Sequence, residues 1–124
     1  MRPILAALLL LATLSPAWGH SAAAPAAASK PARTFGAGHK LCSDWSAAEI
    51  KTDQSEYAAN RFWVAGFMSA YNVYVSTGGF DIGKGLTPDD MKAWMHDRCA
   101  ANPTETIATA ATAFLAMLKT RQGH

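Results

Sequence analysis

A chain of 124 residues, half of them apolar, has enough material for one hydrophobic core and too little for two domains. Its 11 Lys and Arg against 9 Asp and Glu give a formal charge of +2, but residues 41–118 hold five basic residues against all nine acids, a formal −4. That distribution argues against nucleic acid as a partner, because phosphate binding needs Lys and Arg clustered on the folded face.

Met1-Arg2-Pro3, an apolar run from Ile4 to Leu14 and a small-residue exit at Ala17-Trp18-Gly19 have the three parts of a secretory signal. Residues 1–19 are therefore expected to be removed, with the mature chain beginning near His20. The run falls short of the roughly 20 apolar residues that span a bilayer, and no cysteine follows it where lipid acylation would need one. The expected product is periplasmic or secreted, with no stable membrane insertion. Residues 20–40 are mostly Ala, Pro, Ser and Gly with scattered Lys30, Arg33 and Lys40, a mixture that cannot bury a core and reads as a flexible leader. The folded domain is placed at 41–119, with 120–124 as a tail. In an oxidising compartment an even cysteine count reads as a disulfide, so Cys42 is expected to pair with Cys99 and staple a domain of marginal size.

Four helices are expected after Leu41, giving an all-α domain with one disulfide. The first is short, with Ser46-Ala47-Ala48-Glu49 at capping-box spacing and Ser43 as a competing cap one turn earlier. The second runs from about 55 to 75 and is apolar on more than one face, the pattern of a helix central in its domain. Gly66 and Ala70, four apart, leave one of its faces thin enough for a neighbouring helix to approach. A connection with four glycines follows from Thr77 to Leu86. Thr87-Pro88-Asp89-Asp90 then supplies a capping hydroxyl, a proline suited to the first helical position and two carboxylates at the positive end of the helix dipole. Along this third helix Met91, Trp94, Met95 and Cys99 recur at helical spacing, so Cys99 should face inward. Asn102-Pro103-Thr104-Glu105 repeats the start signal, with Asn102 as the expected cap of a fourth helix. Its buried stripe is Ile107, Ala111, Phe114 and Leu118.

Little in the chain carries catalytic chemistry. His96 is the only histidine in the folded segment, and its neighbour Asp97 points about 100° away on a helix, the wrong geometry for a base and its orienting acid. Neither cysteine lies in a Cys-x-x-Cys pair, no zinc-ligand or calcium-loop spacing occurs, and the glycines at 78–85 lack the strand-then-helix context of a phosphate loop. No catalytic residue, metal or cofactor is expected, and His96→Ala should leave the principal activity intact. Trp63, Phe67, Tyr71 and Tyr74 form an aromatic band on the second helix. It serves either as core or as a surface for protein partners, where aromatics dominate binding energy. Asn72 lies beside the band, is counted with it as a candidate partner-binding residue, and is placed to order the loop that follows.

Val64-Ala65-Gly66-Phe67-Met68-Ser69-Ala70-Tyr71-Asn72, then Leu86-Thr87-Pro88-Asp89-Asp90-Met91, Asn102-Pro103 and the helix through Ala110-Ala111 to Phe114-Leu115 resemble the Rap/Tai family of periplasmic immunity proteins. The resemblance covers about residues 62–118. It implies a small helical domain, often disulfide-bonded and dimeric, that binds and blocks a cell-wall amidase delivered by a type VI secretion system. No inhibitory residue carries over, because no position here matches the family's contact loops. The short helix opening Leu41-Cys42-Ser43-Asp44-Trp45, the central apolar helix and Thr87-Pro88 also resemble, in architecture, the HdeA-type periplasmic acid chaperones. That second resemblance implies a protein that loosens when its carboxylates protonate and then shields apolar surface of clients. The chain departs from that type in cysteine spacing and in the length of its second helix. A cell-envelope accessory domain is a third alternative. A protein partner is expected, and a homodimer is a further alternative that the first resemblance suggests.

Overall fold

The computed structural model describes residues 33–124. The expected signal at 1–19 and most of the expected leader lie outside the described residues. Four helices follow a single 3-10 turn at Gly36–His39: α1 (Cys42–Glu49), α2 (Ser55–Tyr74), α3 (Pro88–Ala101) and α4 (Ile107–Arg121). Among the described residues the fold is all-α, and Cys42 is bonded to Cys99 with their Cα atoms 4.6 Å apart, well inside the reach of a disulfide.

α1 is short but deeply seated. Cys42, Trp45 and Ala48 recur every three residues, are fully buried, and lie against α3. Neither Ser43 nor Ser46 caps it. The Asp44 carboxylate instead accepts the Leu41 N–H at 2.9 Å, while the Cys42 and Ser43 N–H groups donate to the carbonyls of Glu105 and Pro103 at 2.7 and 2.9 Å. The helix start is thus satisfied from across the fold, in place of the local hydroxyl the sequence suggests.

α2 buries Tyr57, Asn60, Val64 and Met68 and packs Trp63, Phe67 and Tyr71 partly against the core. It is central, as expected, in contact with α1, α4 and the turn at 36–39, but it is not covered all round: Phe62 is 76% exposed, and Gly66 and Ala70, expected to admit a neighbouring helix, face outward with no helix against them among the described residues. α3 begins as its sequence implies. Thr87 Oγ1 accepts the Asp90 N–H at 3.1 Å, Asp90 accepts the Thr87 N–H at 2.9 Å, and Pro88 takes the first turn. Met91, Met95 and Cys99 turn inward.

The start of α4 shifts from the expected place. Asn102 closes α3, its backbone and side-chain N–H groups both donating to the Arg98 carbonyl at 3.0 Å, and Thr106 caps α4 by accepting the Thr109 N–H at 3.1 Å. The three residues between, Pro103, Thr104 and Glu105, form a strut that carries the carbonyls used by α1. Ile107, Ala110, Ala111, Phe114 and Leu118 complete the core around the disulfide.

The packed domain also begins earlier than 41. The turn at Gly36–His39 lies on α2 and α4 with Ala37 and Gly38 buried, so residues 36–40 belong to the domain and not to a leader. At the other end the residues after 119 are tied in as well: Gln122 Nε2 donates to the Ile82 carbonyl at 3.0 Å, and the His124 and Phe80 rings lie 4.3 Å apart.

Candidate functional site

The aromatic band of α2 is divided in two by its surroundings. Its first half is covered. Trp63 stacks on Phe67 with centroids 5.6 Å apart, its indole N–H donates to the Phe35 carbonyl at 2.7 Å, and Gly38 lies so close that a Cβ there would come within 2.2 Å of the indole ring. Only glycine lets the backbone approach this far. The segment 35–40 is therefore a strap across Trp63, fastened at its Lys40 end to Glu56, which accepts from Lys40 at 2.8 Å and also from Lys51, in the connection between α1 and α2, at 2.6 Å. Hydrogen bonds from these two ammonium groups, Lys40 first, hold the Glu56 carboxyl at about 2, down from an ordinary 4.5.

The second half of the band is open. Tyr74 is 84% exposed, Val73 70% and Val75 59%, while Tyr71 is half-buried against the core. Phe67, Ala70, Tyr71, Tyr74 and Val75 line a shallow apolar groove of about 240 Å3. No charged side chain occurs from Phe62 to Phe80.

Asn72 orders the following loop as its position suggested. Its Oδ1 accepts the Ile82 N–H at 2.9 Å and its Nδ2 donates to Asp81 at 2.7 Å. Ile82 is thereby held fully buried in a connection where Phe80 and Leu86 also pack partly against the core, and whose turns use positive φ at Gly78, Gly79 and Gly85. The structure thus brings Phe67, Tyr71, Asn72 and Tyr74 to one end of α2. Trp63, stacked on Phe67, lies beneath the strap.

A second cluster escaped sequence reasoning. His96 Nδ1 lies 2.7 Å from Glu49 Oε2, and the Tyr57 hydroxyl donates to Glu49 Oε1 at 2.9 Å, so one carboxylate joins α1, α2 and α3. The partner of His96 is 47 residues away, which no local spacing reveals. The Glu49 hydrogen bond and charge raise the His96 pKa above 6.5, and burial followed by the Glu49 hydrogen bond pushes the Tyr57 phenol up from 10.0. No hydroxyl or thiol is hydrogen-bonded to His96 among the described residues, and no group of three or more metal-ligating side chains occurs there. Compared with protein-family models, with curated proteins and with solved structures, the chain matches none.

Proposed function

We propose that the chain is a non-enzymatic helical protein of an oxidising, extracytoplasmic compartment that binds another protein through the distal half of α2 and inhibits a cell-wall hydrolase in the manner of an immunity protein. The observation that carries the binding reading is the uncharged run Val73, Tyr74 and Val75, left 59–84% exposed, whereas the other exposed large apolar residues, Phe35, Leu41, Ile50 and Phe62, do not adjoin one another in the chain. A soluble domain seldom leaves contiguous apolar surface without a use for it, and rigid aromatics supply contact area at low entropic cost. The Cys42–Cys99 bond and the sequence at residues 1–19 support the compartment, and the resemblance to the Rap/Tai immunity proteins supports the hydrolase.

The test mixes the disulfide-intact protein with a cell-wall amidase encoded beside its gene. Tight binding near neutral pH and loss of amidase activity are expected. Replacing Tyr74 and Val75 together by Ser should weaken the complex by more than about tenfold, as loss of an interface anchor does. No complex with the neighbouring enzyme, or one indifferent to these substitutions, removes the reading.

A second reading, acid-stress holding, is favoured by the way carboxylates tie the elements together. Glu56 fastens the strap, Glu49 joins three helices, and Glu105 accepts two hydrogen bonds from Arg98, each at 2.8 Å. The folded pKa of Glu56 is lowered, so its tie is present above 4.5 and is lost as pH falls toward about 2. Strong suppression of client aggregation at about pH 2–3, with no partner at neutral pH, would put this reading first.

A further inference from the structure

α3 and α4 enclose a notch of about 290 Å3 on the outside of the bundle, lined by Trp94, Phe114 and Met117 and bordered by Asp90, Asp97 and Arg121. Its floor is aromatic: the Trp94 and Phe114 rings lie 4.8 Å apart at 35°. Phe114 is buried, whereas Trp94 keeps part of its indole uncovered. The three charges at the border are not equivalent. Asp90 accepts the Thr87 N–H and hydroxyl at 2.9 and 2.6 Å as the cap of α3, and Arg121 is the cation nearest enough to act on it. Asp97 makes no ion pair among the described residues.

An open indole, an apolar floor and one uncompensated carboxylate select among ligands. Arg121 makes no ion pair among the described residues either, but two carboxylates against one guanidinium leave the border net negative, so an anion is disfavoured, and a neutral donor gains from Asp97 a hydrogen bond without the charge attraction. A flat cation on an apolar stem satisfies all three surfaces, because a guanidinium stacks on indole, hydrogen-bonds to a carboxylate and carries methylenes that cover apolar area. We propose that the α3–α4 notch receives an arginine side chain of a protein partner, with the guanidinium between Trp94 and Asp97 and its stem on Met117. The inference rests on the reading that the chain binds a protein, but it uses helices other than α2.

The experiment follows the indole N–H resonances of the disulfide-intact chain, with Trp94 assigned by Trp94→Phe, while N-acetyl-arginine amide is added to millimolar concentrations. A saturable shift of Trp94, with Trp45 and Trp63 unmoved, is expected. Asp97→Asn should weaken the affinity about two- to fivefold, the range of a solvent-exposed ion pair, and Asp97→Lys should abolish the shift. The citrulline analogue, which has the same shape without the charge, should bind several-fold more weakly than the arginine compound. No Trp94 shift, equal affinity for the citrulline analogue, or unchanged affinity in both Asp97 variants would overturn the proposal. Those outcomes leave the Tyr74-dependent complex untouched, and failure of that complex leaves this titration readable.

Discussion

The disulfide-centred frame and the distal half of α2 spend their apolar residues in opposite ways. In the frame, Cys42, Trp45 and Ala48 of α1 meet Met95 and Cys99 of α3 and Ile107 and Ala111 of α4, and all of them are fully buried. Beyond Met68, α2 keeps only Tyr71 against the core and turns Val73, Tyr74 and Val75 outward. A bond that closes 57 residues of chain restricts the unfolded state whatever α2 does. A small domain with a covalent staple thus holds its fold in one half and leaves apolar surface open in the other.

The largest effect expected is at the frame. Trp45→Ala should cost about 3–5 kcal/mol, the range for deleting a fully buried large aromatic. Tyr74→Ser should stay within about 0.5 kcal/mol, as exposed positions do. Urea denaturation of both variants measures the contrast, and similar losses at the two sites would dissolve it. Reducing the Cys42–Cys99 bond should destabilise by about 2–4 kcal/mol, which for a domain of this size is a fall in Tm of at least about 10 °C. Thermal scans with and without reductant give the number.

Asn72→Ala probes the seam between the halves. It removes the acceptor of the Ile82 N–H and should cost about 1–3 kcal/mol by leaving a part-buried donor unpaired. The loss should be accompanied by faster proteolysis in residues 77–86. The smallest effect concerns His96. Its folded pKa is raised by Glu49, so the stabilising contact is complete below the ordinary 6.5 and disappears as pH climbs through the raised value. An NMR titration of His96 should show a midpoint above 6.5 that returns to the ordinary value in Glu49→Gln.

What local chemistry decides was legible in the sequence. Thr87-Pro88 with Asp90 opens α3, Cys99 faces inward with Met91 and Met95, the two cysteines meet, and Asn72 orders the loop after α2. What depends on distant backbone was not. α1 begins where it does because Glu105 and Pro103 offer carbonyls to its first N–H groups, a supply that neither Ser43 nor Ser46 hints at. The Asn102 side chain suits a helix start, yet it ends α3, and Thr106 one turn later starts α4. The strap was hidden by its composition. A Gly-rich stretch looks like coil until Trp63 is placed under it, and the one signal was glycine at 36 and 38 beside an aromatic, which fits close backbone approach. The aromatic band, open between core and surface on sequence alone, is divided between the two.

Native-state hydrogen exchange tests most directly whether the frame carries the stability and the distal half of α2 is left to recognition. Amides at Trp45–Ala48 in α1, Met95–Cys99 in α3 and Ala111–Phe114 in α4 should exchange only through global unfolding. Those from Tyr71 to Val75 should exchange through local opening at a distinctly lower free energy, as binding elements do. Equal protection in both regions, falling together with denaturant, would contradict the account.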